Sequence, residues 1–311
     1  MNRVKIVSIE SDFGAGKKGA KLGPRALLQK IRSANIPLLK DSTNVNISMG
    51  DATENILFPF SKNIDSILQI QNDSMFQIEN VLAANEFPLI LSGDHFNAVS
   101  AISAIKNHFP EKRLGVVWID AHADLHSPYT TPSGNMHGMP LAAMLGIKKP
   151  KNPRNDIDNQ TMKLWDCLVE LGEKKICPKI ISKDLVIIDL RNYEDEEFAL
   201  LNEKNIKFFT SQVIKEIGIE TVVSLTLEQL SECDLIYVSF DVDSLDPEIS
   251  IGTGTPAPGG LSIKEATYIL KNLVHHRKTV ALEITEINPL LDRENPMEDV
   301  VLELLKKIFT T

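Results

Sequence analysis

The 311-residue sequence has few cysteines and no long hydrophobic run. Its three cysteines, Cys167, Cys177 and Cys233, are odd in number and lack zinc-site spacing, so we expect reduced structural thiols rather than a disulfide framework. No apolar run reaches the roughly 18 residues that a membrane span needs, and the segment from Met1 to Glu10 lacks the apolar stretch of a secretory signal. These absences favour a cytoplasmic protein that does not cross a membrane.

Positive charge is also scarce. Lys and Arg together number 33 against 42 for Asp and Glu, which gives a formal net charge of −9. The sequence therefore lacks the basic stripe with which proteins bind nucleic-acid phosphates, and we expect no nucleic-acid partner. Carboxylates that bind cations would contribute to such an excess when the metal is not counted.

Short apolar, β-branched runs alternate with amphipathic helical patterns along the whole sequence. Several runs are almost entirely apolar, which is typical of strands covered on both faces. The alternation predicts an α/β protein, a single-domain three-layer α/β/α fold with a mainly parallel sheet. The predicted strands are Val4–Ile9, Val45–Met49, Phe87–Leu91, Leu114–Ile119, Leu185–Leu190, Leu235–Phe240 and Thr279–Ile284. The predicted helices are Pro24–Ala34, Ile64–Ala84, Asn97–Phe109, Ile219–Ser231, Ile263–His275 and Met297–Phe309.

No repeat, low-complexity tract or linker marks a domain boundary, so we expect residues 1–311 to form one domain. The segment Lys148–Ile181, rich in lysine, asparagine and proline, is predicted to be an excursion beside the sheet, with some helix around Met162–Leu171. Ligands of open parallel sheets gather at the carboxyl ends of the strands. Functional residues are therefore expected directly after predicted strands.

Three short motifs rich in His and Asp do follow predicted strands. Side chains at positions i and i+2 of an extended segment point to the same side, so each motif can direct its side chains into one pocket. A single Asp-x-Asp is usually a cap or turn, and one His near an Asp is usually a hydrogen-bonded loop pair. Three such motifs at strand ends favour metal ligands instead. The motifs are Ser92-Gly93-Asp94-His95, Asp120-Ala121-His122-Ala123-Asp124 and Asp241-Val242-Asp243, and the candidate ligands are His95, Asp120, His122, Asp124, Asp241 and Asp243.

Six side chains of these types suit two divalent cations. Four carboxylates offset four positive charges, and bridging aspartates can hold two ions about 3.5–4 Å apart. Carboxylate and imidazole donors without thiolate favour Mn²⁺, with Fe²⁺, Co²⁺ or Ni²⁺ as alternatives. The sequence therefore predicts a two-metal hydrolase with two Mn²⁺ ions per chain.

Further polar residues lie near these motifs. His137, in the loop after Asp124, is a candidate proton carrier, although an isolated histidine is more often solvent-exposed or satisfied in the core. The segment Gly252–Gly260 lacks the lysine of a P-loop, so we interpret it as a wall of the pocket rather than a phosphate site. Glu286 follows the strand Thr279–Ile284, where it either forms a salt bridge or pairs with a cationic substrate.

With these motifs in this order, the sequence resembles the ureohydrolase family, most closely its arginase branch. The resemblance runs from Gly19–Pro24 through the loop Thr130–Gly138 to Glu286–Pro289. It implies hydrolysis of L-arginine to L-ornithine and urea at a binuclear manganese centre, in a homotrimer or homohexamer. The alternatives are another ureohydrolase (agmatinase, guanidino-acid hydrolase or formimidoylglutamase), a deacetylase-like relative with one zinc, and a non-catalytic guanidinium-binding protein.

The resemblance also implies a role for each candidate residue. The first manganese would be held by His95, Asp120, Asp124 and Asp241. The second would be held by Asp120, His122, Asp241 and Asp243, so that Asp120 and Asp241 bridge. Asp124 and His137 would carry protons, and Glu286, assisted by Thr255, would pair with the substrate guanidinium. The implied contacts of the α-amino acid end are His126, Ser133 and Asn135 for the α-carboxylate and Glu194 for the α-amino group.

Three residues depart from the arginase pattern. His126 stands where arginases commonly carry asparagine, Glu194 replaces an aspartate, and Ser92 replaces the commoner glycine. One additional methylene in Glu194 changes its reach rather than its charge. L-Arginine therefore remains the expected substrate, and its affinity is the property that we expect these departures to change.

Overall fold

The computed structural model describes residues 3–39, 44–48, 57–150, 153–249, 251–292, 294 and 296–309. Eight strands run through these residues. They are β1 (Val4–Glu10), β2 (Asn44–Ser48), β3 (Phe87–Ser92), β4 (Leu114–Ile119), β5 (Leu185–Leu190), β6 (Lys207–Thr210), β7 (Leu235–Asp241) and β8 (Thr279–Thr285). The seven predicted strands are confirmed to within one residue at each described end. Met49, the predicted end of the second strand, lies outside the described residues.

The same residues form ten α-helices, none of which is long and apolar enough to cross a bilayer. They are α1 (Gly23–Ser33), α2 (Ile64–Ala83), α3 (Ala98–His108), α4 (Pro140–Met144), α5 (Asn159–Val169), α6 (Asp195–Glu203), α7 (Ser211–Ile217), α8 (Ile219–Gln229), α9 (Ile263–Val274) and α10 (Met297–Phe309). The six predicted helices are confirmed to within two residues at each end.

All eight strands pair in parallel in one sheet, in the order β2-β1-β3-β8-β7-β4-β5-β6. The predicted α/β/α fold is thereby confirmed, and the sheet is entirely parallel. The late strands β7 and β8 insert between the early strands β3 and β4. Because parallel strands end at the same edge, the segments after these four central strands are neighbours although they are far apart in sequence.

Both faces of the sheet are covered by helices. In β4, Val116 and Trp118 pack into one core, and Val117 and Ile119 pack into the other, because successive side chains of a strand point to opposite faces. Helices α2–α5 contribute to the first core, and α1 and α7–α10 contribute to the second. This double burial explains why β4 has no solvent-facing polar residue and reads as a continuous apolar run.

Four elements were not predicted from the sequence: β6, α4, α6 and α7. Strand β6 has four residues and lies at the sheet edge, and α4 and α7 are also short, so none of them spans enough residues to display a period. Helix α6 starts with three acidic residues and buries only Glu197 and Leu201, which hides its apolar face. A capping box between Glu194 and Glu197 fixes its beginning.

The segment Lys148–Ile181 contains α5. This helix starts three residues earlier and ends two residues earlier than the predicted helical stretch Met162–Leu171. Trp165 on α5 is fully buried, and its indole Nε1 donates a hydrogen bond of 2.9 Å to the backbone oxygen of Ile147. Helix α5 packs against α2 and α4. The described part of the excursion is therefore attached to the first core of the same sheet.

We predict that Trp165→Ala lowers the free energy of unfolding by about 3–5 kcal/mol, because it removes a large buried side chain and leaves a cavity. Urea denaturation followed by circular dichroism measures this change. The exposed Lys163 lies on the same helix, and Lys163→Ala serves as the control with an expected change within about 0.5 kcal/mol. Equal stability of the two variants would show that α5 is not part of the core.

Candidate metal centre and pocket

The four central strands end at a single polar site. Strand β3 leads into His95, β4 leads into Asp120, β7 ends at Asp241, and Glu286 follows β8. Their order in the sheet, β3-β8-β7-β4, places these ends side by side. The structure therefore brings together the residues that the sequence placed after strands.

His95 faces three carboxylates. Its Nδ1 atom lies 3.0 Å from Asp120 Oδ2, 3.2 Å from Asp124 Oδ2 and 3.1 Å from Asp241 Oδ2. The His95 side chain is 1% exposed, and none of the three contacts has hydrogen-bond geometry for Nδ1. A buried ring nitrogen surrounded by carboxylate oxygens is a donor arrangement that suits a divalent cation.

A second group of ligand atoms shares Asp120 with the first. His122 Nδ1 lies 3.0 Å from Asp243 Oδ2 and 3.4 Å from Asp120 Oδ1. One oxygen of Asp120 thus faces His95 and the other faces His122, as a bridging carboxylate would. Asp241 faces His95 with Oδ2, while its Oδ1 accepts a hydrogen bond from the backbone nitrogen of Asp243. The bridging role of Asp241 stays a prediction.

Asp124 and Asp241 are electrostatically unfavourable as anions without additional positive charge. Burial, together with the charges of Asp243 and Asp120, raises the pKa of Asp241 well above its usual range. Burial and Asp120 likewise raise the pKa of Asp124 to about 6. Buried carboxylates ionise at neutral pH only when positive charge is close. Two adjacent divalent cations would supply that charge, so the donor set fits two metal ions.

Side chains that the sequence reasoning missed hold the ligands in place. Trp118 stacks on the His95 ring at 3.8 Å between centroids, and its Nε1 donates a hydrogen bond of 2.9 Å to Asp120 Oδ2. Ser239 Oγ lies 2.8 Å from His95 Nε2. Both Trp118 and Ser239 stand two residues before a predicted ligand, Asp120 or Asp241. The i, i+2 rule that identified the ligands could therefore also have found these two residues.

Asp94, which precedes His95 in the first motif, has a structural role. Its carboxylate accepts hydrogen bonds from the backbone nitrogens of Phe96, at 3.0 Å, and Gly14, at 3.1 Å. It therefore caps the turn that presents His95, as an isolated aspartate after a strand usually does.

Glu286 and His137 lie beside the His95 group and contact each other. Glu286 Oε1 lies 3.0 Å from His137 Nδ1 and accepts a hydrogen bond of 3.0 Å from the backbone nitrogen of His95. Its other oxygen, Oε2, is buried and has no hydrogen-bond partner among the described residues. Burial opposes charge on His137, but Glu286 outweighs it and raises the pKa of His137 to about 9. Glu286 thus keeps one buried carboxylate oxygen without a partner beside the His95 group.

Ser133 and Asn135 lie on a loop with a tight turn at Gly134. Gly134 has φ of 75°, and a Cβ there would lie 2.0 Å from the backbone oxygen of Pro59, so only glycine fits. Ser133 Oγ accepts a hydrogen bond of 3.2 Å from the backbone nitrogen of Asn135. Lys62 Nζ donates a hydrogen bond of 3.0 Å to Asn135 Oδ1. The sequence reasoning did not identify Lys62, because it belongs to a distant segment.

His126 and Glu194, two of the departures from the arginase pattern, contact each other. His126 Nε2 lies 3.1 Å from Glu194 Oε2 and 3.7 Å from Glu197 Oε2. Burial opposes charge on His126, yet its hydrogen bond with Glu194 raises the pKa of His126. The same hydrogen bond lowers the pKa of Glu194 to about 2, whereas burial raises the pKa of Glu197 to about 8. The resemblance implied that His126 contacts the α-carboxylate and that Glu194 contacts the α-amino group of the substrate. In the structure the two side chains contact each other.

Most of these groups line one pocket of about 230 Å³, whereas Asp120 and Glu286 are buried and do not line it. Thr255, from the glycine-rich segment, forms part of its wall and donates a hydrogen bond of 3.1 Å to Asp243 Oδ2. Glu286 contacts the lining residues His95 and His137. The lining residues include the predicted site residues His95, His122, Asp124, His126, Ser133, Asn135, His137, Glu194, Asp241, Asp243 and Thr255.

Comparison with known proteins agrees with this geometry. The sequence model of the arginase family matches residues 2–310. Arginases from Staphylococcus aureus strain MRSA252 and from Bacillus subtilis strain 168 are each 32% identical to the chain, covering 98% of it and 96% and 97% of their own lengths. The crystal structure of Bacillus caldovelox arginase superposes with a TM-score of 0.85 at 28% identity, over 100% of this chain and 99% of that one. The chain therefore belongs to the arginase family.

Proposed function

We propose that the protein hydrolyses L-arginine to L-ornithine and urea with two Mn²⁺ ions. The observation that carries this proposal is the pair of histidine–carboxylate groups that share Asp120 beside a glutamate, Glu286, with an unpartnered oxygen. A divalent centre and an anionic contact for guanidinium thus adjoin each other, since Glu286 contacts the pocket-lining residues His95 and His137. Relatives named arginase, alike over nearly the full chain, support the same reaction.

The metal ions would be held by the six predicted ligands, with Asp120 between the two positions. Oxygen and imidazole donors without cysteine favour Mn²⁺ over zinc. When bound, two Mn²⁺ ions supply Lewis acidity, which lowers the pKa of water so that hydroxide is available near neutral pH. The ligands are His95, Asp120, His122, Asp124, Asp241 and Asp243.

Glu286 orients the reacting end of the substrate. Its free Oε2 accepts hydrogen bonds from the guanidinium, and the charge-assisted pair fixes the guanidinium carbon near the metal ligands. Thr255, held by Asp243, closes the same side of the pocket. Asp124, buried next to His95, holds a proton during the transfer to the leaving amine. His137, bonded to Glu286 and partly exposed, exchanges that proton with solvent.

The opposite side of the pocket receives the α-amino acid end of the substrate. Ser133 and Asn135 face the α-carboxylate, and Lys62, bonded to Asn135, adds positive charge there. His126 and Glu194 present an imidazole and a carboxylate together, which matches a zwitterionic group carrying both charges. A substrate without an α-carboxylate, such as agmatine, would leave half of this arrangement unmatched.

Other predictions from the sequence concern the protein as a whole. A single domain over residues 1–311, a cytoplasmic location and assembly into a homotrimer or homohexamer stay predictions.

Urea release across a panel of substrates tests the proposed reaction. We expect protein loaded with Mn²⁺ to act on L-arginine with a kcat/KM at least about 100-fold above that for agmatine, since the contacts with the α-carboxylate are lost with agmatine. The panel also contains a guanidino acid and formimidoylglutamate, and for the latter the released formamide is measured instead of urea. Preference for any of these three over L-arginine would assign the protein to that ureohydrolase activity instead.

Asp241→Ala should reduce the bound Mn²⁺ below two ions per chain and abolish urea release at the same time. The substitution removes a carboxylate that faces His95 in the buried cluster. Metal analysis after dialysis measures the first effect. Asp234 is exposed and lies directly before the first residue of the same strand, at the end away from Asp241. Asp234→Ala should therefore leave both the bound Mn²⁺ and the urea release unchanged. Full metal content in Asp241→Ala would contradict the proposed ligand set.

His137→Ala should retain two Mn²⁺ ions but lower kcat by a factor of about 10² to 10⁴, the usual contribution of a proton-transfer group. Steady-state kinetics and metal analysis on the same preparation separate the two effects. His276 lies just before the start of β8, at the end of the strands away from the pocket. His276→Ala is therefore the matched control, with an expected kcat equal to that of the wild type. Undiminished turnover in His137→Ala would refute its role as proton carrier.

A further inference from the structure

A buried cation, Arg191, lies beside the pocket and has no role in the proposed reaction. It directly follows β5, and its side chain is 9% exposed. The guanidinium donates one hydrogen bond, of 2.5 Å, to Asp189 Oδ2. Its other acceptors are backbone oxygens, among them Asp243 O at 2.7 Å and Ala257 O at 2.9 Å, both from Nη2. One guanidinium thus joins three segments that are distant in sequence.

The two backbone acceptors lie on both sides of a contact between the metal centre and the pocket wall. Thr255 lines the pocket and donates a hydrogen bond of 3.1 Å to Asp243 Oδ2. Arg191 bonds to Asp243 directly and to Ala257, two residues after Thr255. The segment Gly252–Gly260 forms neither helix nor strand, so hydrogen bonds of this kind determine where its backbone lies.

The end of the same segment packs closely against the guanidinium. A Cβ at Gly260 would lie 2.6 Å from Nη2 of Arg191 and 2.5 Å from the backbone oxygen of Ser244. Both distances are shorter than van der Waals contact allows. The glycine therefore permits the close approach through which Arg191 reaches the wall.

Asp189 holds the guanidinium from the side of the sheet. The pairing of β5 with β6 is irregular between Ile188 and Leu190, and Asp189 between them has φ of 79°. Such an irregularity redirects a side chain, in a conformation that is unfavourable for residues other than glycine. Burial raises the pKa of Asp189 to about 7, although the charge of Arg191 opposes this shift. The contact requires only an acceptor oxygen, so it does not depend on the ionisation of Asp189.

The backbone at Arg191 joins a fourth segment to this arrangement. The backbone nitrogens of Arg191 and Asn192 both donate to Ala121 O, each at 2.9 Å. Ala121 precedes His122, whose Nε2 lies 3.2 Å from the side-chain amide of Asn192. The main chain of Arg191 thus bonds to the segment after β4, while its side chain bonds to the segments after β7.

We propose that Arg191 is a positioning residue that holds Asp243 and the pocket wall at Thr255 together for substrate binding. Its planar fork of donors reaches acceptors on two segments at once, whereas lysine has a single nitrogen and cannot reproduce this geometry. Without these hydrogen bonds the wall moves away from Asp243, and the substrate is bound less tightly. The consequence for substrate binding rests on the proposed function, but the connection between the segments does not.

Hydrogen–deuterium exchange of the full-length, Mn²⁺-loaded protein, followed by mass spectrometry, tests the connection without measuring activity. In Arg191→Lys we expect the amides of residues 252–261 to exchange about 10- to 100-fold faster than in the wild type, because the wall opens locally. Peptides from α3 and β8 should exchange at the wild-type rate. Wild-type exchange of residues 252–261 would overturn the inference, as would a uniform increase along the whole chain.

Steady-state kinetics test the effect on the substrate. Arg191→Lys should raise the KM for L-arginine by about 10-fold and leave kcat within a factor of about 3, because a displaced wall weakens ground-state and transition-state binding equally. Arg113 donates two hydrogen bonds to Asp184 and directly precedes β4, at the end of the strands away from the pocket. Arg113→Lys is therefore the matched control, with unchanged KM and unchanged exchange of residues 252–261. A lower kcat with unchanged KM in Arg191→Lys would indicate general damage and overturn the inference.

A double-mutant cycle tests whether Arg191 acts through the wall. Thr255→Val removes the hydroxyl group that bonds to Asp243 and should itself raise the KM. Adding Arg191→Lys should then raise the KM by less than it does in the wild type, because both substitutions break the same connection. Fully multiplicative effects would overturn the inference. Wild-type protein that releases no urea from L-arginine would refute the proposed function alone, since the exchange experiment does not require turnover.

Discussion

The site is stable only if the electrostatic repulsion between its buried carboxylates is offset. Removing an ionised carboxylate from water costs several kcal/mol in a protein interior, and like charges in one place add to that cost. Asp120 and Asp241 are 1% and 3% exposed, so water does little to screen them. Only a rigid frame that carries them on neighbouring strands, and cations placed between them, make such a cluster stable. The order of the four central strands supplies the frame, and the two histidines aim their ring nitrogens into the same space.

The sequence was sufficient to identify the clustered His and Asp side chains because two local rules apply to them. Strand ends were recognisable from apolar runs, and the i, i+2 spacing states which side chains share a side. The buried residue Glu283 was not found, although a charged residue inside the apolar run Thr279–Ile284 was a visible signal. Its hydrogen-bond partners, Ser92 on β3 and Tyr237 and Ser239 on β7, come from two other strands, and only the order of strands in the sheet brings them together with Glu283. The pairing of His126 with Glu194 likewise requires the long-range arrangement of β4 and β5.

The fold was predictable where an element is long and buried on a regular face. Helices such as α9, with buried residues at helical spacing, were identified to within a residue, and so were the central strands. Helix α6 was not predicted because one of its two buried residues, Glu197, is charged, and a hydrophobicity pattern counts charged residues as exposed. The burial of Glu197 has a local cause, since its oxygens accept hydrogen bonds from the backbone nitrogens of Leu125 and Glu194. At this position beside the pocket, a buried residue is therefore charged rather than apolar.

The backbone of the site also adopts conformations that are unfavourable for non-glycine residues. Asp124 and Glu286 adopt positive φ angles of 52° and 65°, a conformation that costs non-glycine residues of order 1–3 kcal/mol. Glycine would remove the strain but also the carboxylates. The strain at Glu286 is opposed by two bonds to the neighbouring segment after β3: its nitrogen donates to Gly93 O at 3.1 Å, and its Oε1 accepts from His95 N. The segment that presents His95, a proposed metal ligand, also holds Glu286 in this conformation. The distance between the proposed metal centre and Glu286 Oε2 is therefore set by the same two hydrogen bonds.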